Sequence, residues 1–548
     1  VAWTQVYDPF NNPWLSTAAA ALPVIVLLSA IAIFEIKAHW AAAIGLATAL
    51  GVAVFAFGMP AGMAGMAAIY GAGFGLLPIG WIIINIIFLY QLLNEKGEFA
   101  VLQRSVSSIS DDRRLQLLFI AFSLGAFFEG AAGFGTPVAV TAAMLIALGF
   151  SPLAASGLSL IANTAPVAYG ALGTPVIALS AVTGLDLQEL SGMIGRQLPF
   201  FSLLVPFWLI WAFVGFRRML EIWPAILVAG ISFAVPQYLV SNFHGPWLVD
   251  VVAAVVSMAS LALFLRVWRP AHAMKEMPAR YGAPLSDEAP AGKATKAAVA
   301  KAWTPWLIFS AFVFAWGTPQ VKTWLDGIWV AKFPVLGLHN LVQKAPPVVA
   351  KPVAEGAVYV LNLLSAAGTG ILLSAIISGL LVGYGPFGLI RMYARTLYLT
   401  RYSLATIACM LALGFVTRYS GTDATLGLAF AKTGALYPFF GALIGWLGVA
   451  LTGSDTSSNV LFGGLQRISA EQIGVSPVLM AAANSSGGVM GKMIDAQSIV
   501  VASTATKWYG HEGTILRFVF FHSFALVVLV GILVLGQAYL WPLKLLVP

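Results

Sequence analysis

Leu124-Gly125-Ala126-Phe127-Phe128-Glu129-Gly130-Ala131-Ala132-Gly133-Phe134-Gly135-Thr136-Pro137 is the stretch on which the fold turns. Its second half holds three glycines and a proline in eight residues, which no regular helix sustains. The freed backbone N–H groups have no partner in lipid, so such a segment survives in a membrane only where it lines a cavity or protein interior. Free N–H groups at a helix start attract anions. Gly130, Gly133, Gly135 and Thr136 are therefore expected to bind a carboxylate substrate. Glu129 closes an otherwise uncharged apolar run. A carboxyl placed within a membrane segment is a functional residue by default, and Glu129 is the expected carrier of a coupled proton. The plainer reading makes it a helix-end residue at the interface or a cap.

A second passage repeats the first. Leu447-Gly448-Val449-Ala450-Leu451-Thr452-Gly453 matches 124–130, and Gly97 and Gly421 precede the two copies by 33 and 32 residues. Asn163 follows Gly130 by 33 residues, and Asn484 follows Gly453 by 31. Loop charge makes the two copies enter the bilayer from opposite sides, so the repeat is inverted. Inverted repeats with interrupted helices point to a transporter with its site at the repeat interface. The second copy continues Ser454-Asp455-Thr456-Ser457-Ser458-Asn459. Its hydroxyls and amide are expected to bind substrate, and Asp455 is the secondary candidate for the proton. Asn163 with Thr164, and Asn484-Ser485-Ser486 through Lys492, form the second break of each copy. Lys492 is a candidate countercharge. Arg418 is a candidate for gripping substrate or a residue at headgroup level. Gly487 to Lys492 superficially resembles a phosphate loop, but Met493 follows the lysine where Ser or Thr is required.

Working outward, 60% of the 548 residues are hydrophobic and 9% are charged, against about a quarter charged in soluble domains. Only lipid can take up that apolar surplus. The expectation is an all-α polytopic membrane protein. Clear spans fall near 14–34, 40–58, 76–93, 198–216, 223–241, 248–265, 303–320, 356–382, 402–417 and 515–540, with broken helices or hairpins over 115–185 and 424–506. Basic clusters at 217–218, 266–302 and 391–401 fit cytoplasmic loops and put the N-terminus outside. The domain reading is 1–220 as first repeat, 221–268 as connecting transmembrane helices, 269–302 as cytoplasmic linker and 303–548 as second repeat. The start, 1–12, lacks the basic region of a cleavable signal. The net charge of +8 sits in short loops and gives no support for nucleic acid. The lone Cys409 and six scattered histidines offer no metal set and no cofactor site. No nucleophile elbow or zinc-protease pattern is present, so an enzyme is not expected.

These passages closely resemble the bacterial lactate permease family, which includes lactate and glycolate permeases. The family-like strings are Tyr7-Asp8-Pro9, 129–137, 163–168, Gly195-Arg196-Gln197-Leu198-Pro199-Phe200, Ala302-Trp303-Thr304-Pro305, 451–459 and 491–498. They span nearly the whole chain. The resemblance implies uptake of lactate, and often glycolate, in symport with protons across the bacterial cytoplasmic membrane, and leaves room for a homodimer. It also suggests distant kinship with elevator-type transporters, in which hairpins carry substrate past a scaffold. The competing readings are sodium coupling, with Asn, Ser, Thr and carbonyl ligands, and a membrane-embedded enzyme.

Overall fold

An apolar run in lipid must satisfy its own backbone, and a helix does so within one segment. In the computed structural model these runs are helical accordingly. The structure describes residues 2–548 apart from 33, 35, 99, 102–109, 132, 134, 277, 279–280, 282–294, 350 and 509–510. Among the described residues, ten helices are long and apolar enough to cross a membrane. They number eleven if the pair Pro152–Ala162 and Val167–Thr183, bent by 68°, counts as one span. The chain is a multi-pass membrane protein.

Two corrections to the expected spans have physical causes. The span near 76–93 is the second half of a longer helix, Ala61–Glu95, kinked at Leu77 (φ −137°, ψ 117°). In its first half nine of fourteen residues are Ala or Gly, so few bulky side chains mark it as a span. The run near 356–382 is a helix only from Ala367. Val358–Leu361 is instead a strand paired antiparallel with Ala331–Pro334, as its β-branched and aromatic residues favour. A three-stranded sheet joins Trp3–Thr4, Val342–Lys344 and Val353–Glu355. Arg391, Arg395 and Arg401 lie within the helix Pro386–Ser420 rather than in a loop. Part of the expected linker 269–302, at 277, 279–280 and 282–294, falls outside the described residues, and its last residues already belong to the helix Lys296–Gly317.

The helices pack in two layers. One contains Pro13–Ala32, Ala38–Gly51, Ala61–Glu95, Lys296–Gly317, Ala367–Leu381 and Pro386–Ser420. The other contains both broken regions, with Leu198–Val214, Trp223–Phe243, Val249–Val267 and Glu512–Tyr539 around them. Each layer therefore draws on both ends of the chain. Small residues set the spacing: a Cβ on Gly71 would lie 2.4 Å from the Leu411 carbonyl oxygen, and one on Gly445 2.0 Å from that of Asn484.

Candidate functional site

The two broken regions share one plan. In the first, the helix Gly125–Ala131 carries Glu129, Gly133 and Gly135 take left-handed φ of +59° and +80°, and a new helix runs Thr136–Ala147. The chain turns and returns as Pro152–Ala162, ending at Asn163. Ala171, Leu172 and Gly173 then form a left-handed turn (φ 44°, 59° and 74°). In the second, Tyr437–Thr452 ends at Gly453 (φ +74°), and Ser454 caps Asp455–Ile473 by accepting the Ser457 N–H at 3.3 Å. Pro477–Gly491 returns, and the break over 492–495 leads into Ala496–Ala505.

Both hairpins turn on one pattern, glycine, a bulky apolar residue, serine and proline, a mark that the sequence reading passed over. Gly149-Phe150-Ser151-Pro152 and Gly474-Val475-Ser476-Pro477 place glycine at φ +86° and +72°. Each serine caps the returning helix, accepting the N–H of Ala154 or Leu479 at 3.3 Å. Counted from the glycine of this turn, Asn163 comes fourteen residues on and Asn484 only ten, so the two do not correspond: Asn163 ends a helix while Asn484 lies inside one. The stretch 484–491 is thus helical rather than broken, and the second break begins only at Lys492.

A cavity of about 220 Å³ opens where the breaks converge on the other layer. One wall is His39 with Tyr402, Ser403, Thr406, Ile407, Met410 and Leu411 of the helix Pro386–Ser420. The other wall comes from the breaks: Glu129, Gly133, Val167, Gly170, Ala171, Thr174, Pro175, Thr452, Gly453, Ser454, Asp455, Thr456, Ser457 and Lys492. The N-terminus of the helix Asp455–Ile473 faces this space, a setting that favours an anion.

Glu129 is buried, and its Oε2 has no hydrogen-bond partner among the described residues. Its Oε1 rests on Gly170, where a Cβ would lie 2.4 Å away. Asp455 is equally buried. Its Oδ2 accepts from the Ser485 hydroxyl at 2.5 Å and from Asn459 Nδ2 at 3.4 Å, while Oδ1 is unpartnered among the described residues and sits 2.4 Å from a Cβ built on Gly488. Lys492 Nζ donates to the Gly453 carbonyl at 2.6 Å and lies 3.4 Å from Asp495 Oδ2.

Of the expected site residues, Glu129, Gly133, Ser454, Asp455, Thr456, Ser457 and Lys492 reach the cavity. Others stand behind it. Gly130 packs on Asp250, and Gly135 on Val501. Thr164 donates to the Ile161 carbonyl, Ser458 to that of Gly445, and Asn459 to that of Pro175. Asn484 donates to Asn459 Oδ1 at 2.9 Å, and Ser486 to Gln197 Oε1 at 2.6 Å. Asn163 lies within electrostatic reach of Glu129. The Thr136 side chain lies outside the described residues.

Arg418 is not brought to the cavity. It follows the last lining residue of its helix, Leu411, by seven positions, about 10 Å along the axis. There it pairs with Glu355 Oε1 at 2.6 Å and donates to the Ala181 carbonyl at 2.6 Å. Sequence reasoning missed the wall from Pro386–Ser420, whose Tyr402, Ser403 and Thr406 are spaced like any polar helix face. It also missed Asp250, an acid inside a hydropathy span, which the rule applied to Glu129 would have found.

A polar cavity where interrupted helices of one layer meet a second layer, inside a multi-pass helical protein, has the architecture of a membrane transporter. The family model for L-lactate permease matches residues 16–541, and the chain belongs to that family of permeases; it is not an enzyme. It is 47% identical to the glycolate permease GlcA of Escherichia coli K12, covering 99% of each chain. It is 46% identical to the L-lactate permease of Bacillus subtilis 168, covering 98% of this chain and 99% of that one. Among solved structures it is similar to Neisseria gonorrhoeae MtrF, at a TM-score of 0.45 and 13% identity over 85% of this chain and 82% of that one.

Proposed function

We propose that the chain takes up lactate, and related 2-hydroxy-monocarboxylates such as glycolate, together with a proton. The setting is the bacterial cytoplasmic membrane, with the N-terminus outside. The observation that carries this reading is the convergence of Glu129, Asp455 and Lys492 with the N-terminus of Asp455–Ile473 on one small cavity. A carboxylate gains from the helix N-terminus and from Lys492, and a substrate hydroxyl from Thr456, Ser457 or Ser454. A permease of 2-hydroxy acids needs those donors and little space. Glu129 lacks a full set of hydrogen-bond partners, so a proton is its natural complement. Loading that proton before the anion lowers the charge carried through the low-dielectric path.

The cavity lies between layers, so the broken-helix layer moves against the helix Pro386–Ser420 to expose it alternately, an elevator-type motion. With Lys37 inside, the mouth at His39 and Tyr402 faces the cytoplasm. The cluster of Arg418, Glu355, Lys344 and Arg467 then shuts the outer end. The test is labelled lactate uptake into liposomes holding the purified protein, with an inward proton gradient, with and without a protonophore, and with sodium absent. Accumulation above equilibrium that the protonophore abolishes is the expected result. Accumulation that needs sodium instead, or equilibration without accumulation, refutes proton coupling.

A further inference from the structure

Asp250 stands in the first turn of the helix Val249–Val267 and is 1% exposed. Neither of its carboxylate oxygens has a hydrogen-bond partner among the described residues. That helix packs along Gly125–Ala131, and a Cβ on Gly130 would lie 2.8 Å from the Asp250 Cβ. Asp250 thus packs on the residue next to Glu129 and lies outside the cavity lining, which includes Glu129 and not Asp250.

The groups facing Asp250 are few. From Gly125–Ala131 comes Glu129, and from the break at 167–169 comes Tyr169, whose hydroxyl donates to the Ser191 carbonyl at 2.6 Å. From Trp223–Phe243 comes the neutral Gln237, whose amide stands within reach of the Asp250 carboxyl but outside hydrogen-bond geometry. Its Nε2 donates to the Ala165 carbonyl at 3.3 Å, and its Oε1 accepts from Ser202 at 2.6 Å. No cation is among these neighbours. Two buried carboxyl groups within electrostatic reach of one another and short of donors are accommodated when they hold a proton between them.

We propose that Asp250 is a second proton-holding residue that exchanges the coupling proton with Glu129. The proposal rests on the proton-coupled reading given above. In the transfer, the O–H bond at Glu129 breaks as one forms at a carboxylate oxygen of Asp250, and the net charge of the pair is unchanged. The proton then rests where neither substrate nor cavity water touches it, while Glu129 meets the cavity ionised. This separates proton storage from substrate release, and it guards against proton leak when the cavity opens without cargo.

The test compares wild type, Asp250→Asn and Asp250→Glu in liposomes by two readouts. One is lactate counterflow at equal pH on both sides, which needs no net proton movement. The other is accumulation driven by a pH gradient. Asp250→Asn is expected to keep counterflow and lose accumulation about tenfold, within the range that one coupled site carries. Asp250→Glu, which keeps a carboxyl, is expected to retain both. Wild-type accumulation and pH profile in Asp250→Asn would overturn the assignment while leaving proton coupling standing. Loss of counterflow along with accumulation in both variants would also overturn it, by showing a purely structural role. A wild type whose accumulation resists the protonophore would sink the coupling reading and this pairing with it.

Discussion

The two carboxylates at the cavity stand on opposite sides of corresponding breaks, Glu129 before Gly130 and Asp455 after Gly453, and are held in opposite ways. Asp455 is clasped: Ser485 and Asn459 both donate to one oxygen, and Gly488 lies flush against the other. Glu129 is loose: one oxygen lies over Gly170 and the other is unpartnered among the described residues. A clasped acid suits a fixed part of a binding surface. A loose one, on a longer side chain, suits a group whose protonation and position change during a cycle.

Neutralising each acid in turn tests this contrast most strongly. Glu129→Gln is expected to abolish accumulation driven by a pH gradient while lactate exchange survives. Asp455→Asn is expected to weaken lactate binding by about tenfold, or ~1.4 kcal/mol, and to leave coupling intact. Reversed outcomes in the same liposome assay would invert the roles of the two residues.

Glu355, in a strand outside the spanning helices, is another buried acid, held more firmly than either. Burial pushes its carboxyl up, but Arg418 and Lys344, which bonds it at 2.5 Å, outweigh burial and hold it below the usual carboxylate range. Its stabilisation is therefore present above the ordinary carboxylate range and is lost as pH falls through the lowered value. Glu355→Gln should cost about 3–5 kcal/mol at neutral pH, as when a buried pair loses one partner. The difference in thermal unfolding midpoint should close in strong acid. A gap independent of pH would show that the clasp is not ionic.

Adding one methyl group separates the first two sites more finely. Gly488→Ala drives a Cβ against an acid that cannot swing, and should cost about 1–3 kcal/mol as overpacking. Gly170→Ala meets an acid free to turn aside, so stability should change less while transport slows. Equal melting shifts would show Glu129 to be as fixed as Asp455. The smallest effect is expected for Ser485→Ala, which removes one of two donors to Asp455 Oδ2 and should cost about 0.5–1 kcal/mol, read as a modest rise in KM with coupling unchanged.

Much of this arrangement was legible in the residues. Hydropathy marked the spans because lipid leaves the backbone little choice, and the Gly-rich break after Glu129 announced itself through φ and ψ that only glycine takes easily. The matching Thr452-Gly453-Ser454 break was found through the repeat. What stayed hidden depends on packing across long separations. Arg418 looks like a substrate ligand until the strand Val353–Glu355 arrives to neutralise it. Asn484 looks like a helix break until it is seen bonded to Asn459 inside a continuous helix. The polar face of Tyr402, Ser403 and Thr406 acquires meaning only from the cavity it borders.

The order in which the layers interlock bears on how the chain is made. The first hairpin packs against Ala496–Ala505 and Glu512–Tyr539, which leave the ribosome last. Glu129 is therefore synthesised hundreds of residues before the cavity that shelters it is complete. During that interval the early hairpin lacks the late helices that cover it in the finished fold. Nascent chains truncated before Ala496 should accordingly keep the Glu129 segment open to aqueous thiol reagents at an introduced cysteine, and completion of the chain should close it.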